Sequence, residues 1–135
     1  MSHPVNPTEV FVIIPAYNEQ KMIDRVIREL VPFRYKLVVV DDGSVAELDE
    51  MLQPFPVYLL RHRVNLGQGA ALQTGIEFAL SKQAAFIITF DADGQHLPSD
   101  IERLLEPLAA NKADITLGTR FTGGSSNISA GRKWV

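Results

Sequence analysis

The sequence predicts an α/β domain built on a mainly parallel sheet with helices on both faces. Short apolar, β-branched runs alternate with longer amphipathic stretches, and the loops that follow the runs are unusually polar. Runs of that kind suit strands buried on both faces, the environment of a parallel sheet covered by helices. The 135 residues suffice for one domain with a core of its own and are too few for two.

Taken in order, residues 1–8 are expected to be a flexible N-terminus, and Val10 to Ile14 forms the first strand. Met22, Ile23, Val26, Ile27 and Leu30 then recur at helical spacing, with Pro32 as a stop. Leu37 to Val40 is the second strand, Ala46 to Leu52 a weaker helix and Val57 to Leu60 the third strand. A helix over Gln68 to Lys82 leads to the fourth strand, Ala85 to Phe90. A last helix over Pro98 to Ala110 carries Ile101, Leu104, Leu105 and Leu108 on one face, with a kink expected at Pro107, before the fifth strand, Asp114 to Leu117. Right-handed crossovers bring all five strand C-termini to one rim. Residues 1–135 read as a single domain without repeat or linker. Beyond Asp114 there is no acidic residue, and residues 119–135 read as a Gly/Ser-rich basic loop or a truncated end, truncation being favoured.

Composition narrows the function. Hydrophobic residues at 46% and charged residues at 21% mark a globular chain rather than a disordered one. A net charge of −3 supplies no global basic field, so no nucleic-acid partner is expected and an anionic ligand must be held locally. With no cysteine, metal ligands must come from Asp, Glu, His, Asn or Gln, and a reducing compartment fits. No apolar run reaches the roughly 18 residues of a membrane span, and Met1-Ser2-His3-Pro4 lacks a signal-peptide pattern. The expectation is a soluble, cytoplasmic protein.

Ligands of open α/β sheets bind outside the strand C-termini, which directs attention to the loops there. The first is Pro15-Ala16-Tyr17-Asn18-Glu19: a fixed exit, a ring face with a hydroxyl, and an acceptor carboxylate, suited to a base or ribose. A plain loop with Asn18 capping the next helix is the alternative. The second is Asp41-Asp42-Gly43-Ser44, where adjacent acids repel and either can accept from a nucleobase or ribose; an Asp-capped turn is the alternative. In Asn65-Leu66-Gly67-Gln68-Gly69-Ala70, small residues before a helix allow backbone N–H groups to approach a phosphate, or merely shape a turn. A dinucleotide fingerprint fails there, since Leu72 replaces the third glycine and the first strand does not precede it.

The strongest local signal is Asp91-Ala92-Asp93-Gly94-Gln95-His96 at the end of an apolar strand. Asp91, Asp93 and Gln95 offer three oxygen donors to one hard cation, Mg²⁺ or Mn²⁺, of the kind that bridges a diphosphate; a tight Asp/Gly turn is the alternative. Arg120, after the fifth strand, suits a forked contact to a phosphate oxygen or an ordinary surface position. Arg61-His62-Arg63 reads as a solvated strand end, and Asn127-Ile128-Ser129 as a chance glycosylation pattern.

Together, Ile13-Ile14-Pro15-Ala16-Tyr17-Asn18-Glu19, Val39-Val40-Asp41-Asp42-Gly43-Ser44, Asn65-Leu66-Gly67-Gln68-Gly69-Ala70 and Asp91-Ala92-Asp93-Gly94-Gln95-His96 resemble family 2 glycosyltransferases of the Rossmann-like GT-A fold. The branch they resemble most includes dolichol-phosphate mannosyltransferase and the polyprenyl-phosphate glycosyltransferases. The resemblance implies that Pro15, Tyr17, Glu19, Asp41 and Asp42 surround the nucleoside, with Asp42 the favoured base contact, and that Asp91 also meets the nucleotide. It implies that Asp91, Asp93 and Gln95 bind the metal, that Asp93 and Arg120 serve catalysis, and that Arg120 and Arg132 bind phosphate. The implied reaction is inverting hexosyl transfer from a UDP- or GDP-sugar to an acceptor such as a polyprenyl phosphate, at the cytoplasmic face of a membrane where the acceptor is lipid. A donor-binding module without transfer is the alternative. Phe90-Asp91-Ala92-Asp93-Gly94 also resembles the start of haloacid-dehalogenase-like phosphatases, but the match breaks at Gln95, and that motif normally follows the first strand.

Overall fold

A computed structural model of the chain describes residues 6–46, 48–91, 98–109, 115–118 and 125–128. The strands are β1 (Val10–Ala16), β2 (Lys36–Asp41), β3 (Val57–Arg61), β4 (Phe86–Thr89), β5 (Ile115–Gly118) and β6 (Ser125–Ile128). Between them lie α1 (Gln20–Leu30), α2 (Asp49–Leu52), α3 (Gln68–Ser81) and α4 (Pro98–Ala109). The sheet order is β3-β2-β1-β4-β5-β6; the first five strands are mutually parallel, and β6 pairs antiparallel with β5. This is the α/β architecture that the sequence predicts, with the C-termini of five strands on one rim.

Alternation along β1 explains the layering. Val10, Val12, Ile14 and Ala16 face a core shared with Ile23, Val26, Ile27 and Leu30 of α1, Leu52 of α2, and Ile101 and Leu105 of α4. Phe11 and Ile13 face the other way, with Val38 and Val40, onto Ala71, Ile76 and Ala79 of α3. Full burial of side chains such as Ile13, Ile23 and Leu30 stabilises the fold by about 1.5–3 kcal/mol each relative to exposure. α3 lies close because Gly75 has no side chain: a Cβ there would sit 2.3 Å from Cγ2 of Ile13 and 3.1 Å from Cγ2 of Val40.

Several expectations are corrected in detail. Pro7–Glu9 forms a 3₁₀ turn, because Asn6 Oδ1 accepts from the Thr8 N–H at 3.0 Å and caps it, while residues 1–5 lie outside the described residues. α1 does stop ahead of Pro32, as expected, ending at Leu30, and Pro32 lies inside a second 3₁₀ turn, Val31–Phe33, which Arg34 ends in a left-handed conformation (φ 66°). The helix expected from Ala46 is only the single turn Asp49–Leu52. Within the segment read as loop, Ser125–Ile128 is a strand; backbone hydrogen bonds to β5 build it, without the apolar run that would have marked it. α4 spans Pro98–Ala109, as expected to within a residue, with Pro107 inside it.

Candidate donor site at the strand rim

The first two rim loops clasp each other. Asn18 adopts a left-handed backbone (φ 53°), its N–H donates to Ser44 Oγ at 2.8 Å, and its Oδ1 accepts from the Val45 N–H at 2.9 Å. Asn18 therefore does not cap α1: Glu19 occupies the N-cap position, half-buried, and its carbonyl accepts from the Ile23 N–H at 2.9 Å. Pro15 is half-buried beside Val40, and Tyr17 stands 45% exposed at the loop tip, leaving a ring face available for stacking.

Asp41 and Asp42 are both buried, at 0% and 3% exposure, and their carboxylates have different surroundings. Parallel pairing sets Asp41 between Ala16 of β1 and Arg61 of β3. Asp41 Oδ1 accepts from the Ser44 N–H at 3.0 Å, whereas Oδ2 is buried without a hydrogen bond, 3.6 Å from Arg61 Nε. Arg61 also pairs with Asp49 at the start of α2.

Asp42 is turned toward the loop between β3 and α3. Its Oδ1 accepts from the Leu66 N–H at 2.9 Å and lies 2.7 Å from His62 Nδ1; its Oδ2 accepts from the Gly67 N–H at 2.8 Å and from Asn65 Nδ2 at 3.1 Å. Burial pushes the Asp42 carboxyl up, but the His62 hydrogen bond and the Leu66 and Gly67 N–H groups outweigh it and hold the group below the usual carboxylate range. Two of the N–H groups that the sequence offered to a phosphate, those of Leu66 and Gly67, thus meet an internal carboxylate. Four protein donors already surround the oxygens that the resemblance assigns to base recognition.

Sequence reasoning missed His62. Far from being solvated, its ring joins Asp42 to α3 through Nε2, 2.8 Å from Thr74 Oγ1, with only 10% of the side chain exposed. The residue after an edge strand looks solvent-facing in sequence; only the β2–β3 pairing lays it on Asp42.

Asp91 completes the described rim. It follows Phe90, whose N–H donates to the Ile13 carbonyl at 2.8 Å, so the chain leaves β4 alongside β1, and Asp91 is half-buried there. β1 is also where successive crossovers reverse direction, toward β2 and β3 on one side and toward β4 and β5 on the other. Crevices at such switch points receive ligands in open α/β sheets. The fold thus gathers Pro15, Tyr17, Glu19, Asp41, Asp42 and Asp91 at neighbouring strand ends. Asp93, Gln95, Arg120 and Arg132 lie outside the described residues. Among the described residues, no group of three or more acidic or histidine side chains is set to hold a metal ion, and no helix is long and apolar enough to cross a membrane.

The family model described as glycosyl transferase family 2 matches residues 11–134. An uncharacterised protein of Methanocaldococcus jannaschii is 44% identical over 118 residues, covering 87% of this chain and 49% of that protein. The UDP-N-acetylglucosamine–dolichyl-phosphate N-acetylglucosaminyltransferase of Methanococcus voltae is 35% identical over 130 residues, covering 83% and 52% respectively. The polyprenol monophosphomannose synthase of Mycolicibacterium smegmatis is 33% identical over 131 residues, covering 90% and 49%. The chain spans about half the length of these relatives. A match over nearly the whole chain, on a fold whose switch point carries the motif residues, leads to one conclusion: the chain belongs to glycosyl transferase family 2.

Proposed function

We propose that this chain is the donor-binding part of an inverting glycosyltransferase that moves a hexose from a UDP- or GDP-sugar to a polyprenyl phosphate. The observation that carries this reading is the convergence of Pro15, Tyr17, Glu19, Asp41 and Asp91 on the ends of β1, β2 and β4. Relatives named for dolichyl and polyprenol phosphates supply the acceptor class.

In this reading the Tyr17 ring and the carboxylates of Glu19 and Asp41 receive the nucleoside, and Asp42 shapes the loops around it. Asp91, Asp93 and Gln95 would hold Mg²⁺ or Mn²⁺: all three are oxygen donors, the set a hard cation takes, and Asp91 leaves β4 at the rim where a diphosphate would lie. When bound, the ion would offset charge on the diphosphate. Arg120 pairs with a diphosphate oxygen as the sugar–phosphate bond breaks, and Arg132 adds a second cationic contact. An acceptor phosphate is already ionised, so its oxygen attacks the anomeric carbon without a protein base. Attack opposite the departing diphosphate inverts the configuration. Through a lipid acceptor, the protein would work at the cytoplasmic face of a membrane.

Donor binding and transfer are separable expectations, because the chain spans about half of its relatives. Calorimetry with UDP- and GDP-sugars should show weak binding that requires Mn²⁺ or Mg²⁺, with transfer and donor hydrolysis slow or absent. Asp93→Ala should remove the metal requirement together with most of the affinity. Metal-dependent binding that persists unchanged in Asp93→Ala would sink the metal-site assignment.

A further inference from the structure

A chain of contacts crosses the rim from α3 to the first loop. Thr74 Oγ1 meets His62 Nε2 at 2.8 Å, and His62 Nδ1 meets Asp42 Oδ1 at 2.7 Å. The Asp42 carboxylate then holds the Leu66 and Gly67 N–H groups, and its carbonyl accepts from Asn65 Nδ2 at 3.2 Å. Gly43, next along, is pressed against the same loop: a Cβ there would lie 2.6 Å from both the Asn65 nitrogen and the Val64 carbonyl carbon, and its φ of +79° favours glycine independently. Ser44 and Val45 then clasp Asn18, which lies between Tyr17 and Glu19.

His62 is the link in this series that joins the rim to a packed helix. Its two ring nitrogens face different partners, and Thr74 suits either protonation state, since a hydroxyl donates to a neutral Nε2 and accepts from a protonated one. Without the imidazole, Asp42 loses a charge-assisted partner while remaining buried, and the carboxylate must shift to recover it. Such a shift moves Leu66 and Gly67 directly and Gly43 and Ser44 by backbone continuity.

We propose that His62 is a positioning residue of the donor site, fixing through Asp42 the loops that face the nucleotide without touching the donor itself. This rests on the donor-site reading above. Asparagine at this position supplies an amide N–H near the place of Nδ1, so it should keep the hydrogen bond to Asp42 that positions the loops, which alanine abolishes, and lose only the tie to Thr74.

The test compares wild type, His62→Ala and His62→Asn in the full chain by two readouts: amide hydrogen exchange at Leu66 and Gly67, and calorimetric affinity for UDP- and GDP-sugars with Mn²⁺. His62→Ala should speed exchange at both amides and weaken donor binding, each by about tenfold, while His62→Asn stays within about threefold of wild type. Wild-type exchange and affinity in a folded His62→Ala protein would overturn the proposal. If His62→Ala does not fold, His62→Asn decides: a folded protein with protected amides and retained affinity supports the role, and loss of either overturns it. A wild-type chain that binds no donor overturns the donor reading. Protected amides in that chain, lost in His62→Ala, would still establish the His62 latch as a structural device.

Discussion

Asp42 shows how one side chain is made acid-sensitive by what surrounds it. Its carboxyl is held below the usual range by His62 and two backbone N–H groups acting against burial, so its folded pKa lies below its unfolded one. The stability it contributes is complete above the ordinary carboxylate range and is lost as pH falls through that range toward the depressed folded value. Urea unfolding between neutral and acid pH should therefore show a limb that Asp42→Asn removes. At neutral pH the same substitution should cost about 1–3 kcal/mol, because an amide N–H₂ would face donors that need an acceptor. Asn18→Ala should cost less, about 1 kcal/mol, for the loss of one exposed hydrogen bond to the Val45 N–H. The paired acids and the Asn18 loop stand out in the sequence, but the partners of Asp42 do not. His62 and Gly67 are 20 and 25 residues away and arrive only through strand pairing.

At the scale of elements, α3 carries the sharpest test of packing. Gly75→Ala gains up to about 1 kcal/mol of helix propensity, but its Cβ would overlap Ile13 of the central strand, and overpacking of that kind costs about 1–3 kcal/mol or more. The clash should win, lowering the melting temperature. Gly69→Ala in the same helix is the control, since a Cβ there meets nothing within 4 Å and the substitution should be neutral or stabilising. Apolar stretches bounded by polar turns were readable to within a residue at each end: Gln68–Ser81 was expected as Gln68 to Lys82, and Val57–Arg61 as Val57 to Leu60. β6 was not readable, because Ser125, Ser126 and Asn127 carry no apolar pattern and an edge strand is made by its neighbour's backbone.

For the whole molecule, the strand order makes protection uneven. β1 is paired with β2 from Phe11 to Ala16 and with β4 from Val10 to Ile13, whereas β3 has β2 on one side and forms one end of the sheet. Native-state hydrogen exchange should therefore find the slowest amides in β1 and β2 and faster ones in β3; the reverse ranking would contradict this packing. The alternation of runs was enough to expect a parallel sheet with one functional rim. The order β3-β2-β1-β4-β5 was beyond the pattern itself, since a strand's apolar run does not say which neighbour will cover its edges.

The pairing of β1 with β4 also bears on how the protein emerges from a ribosome. Val10 bonds opposite Phe86, so the central strand is synthesised early and keeps one edge open until the fourth strand follows. During that interval β1 can pair with β2, but its other edge has no partner until β4 is made. The nascent chain therefore carries an aggregation-prone apolar edge, and cannot assemble the rim that β1 and β4 share, until β4 has been made.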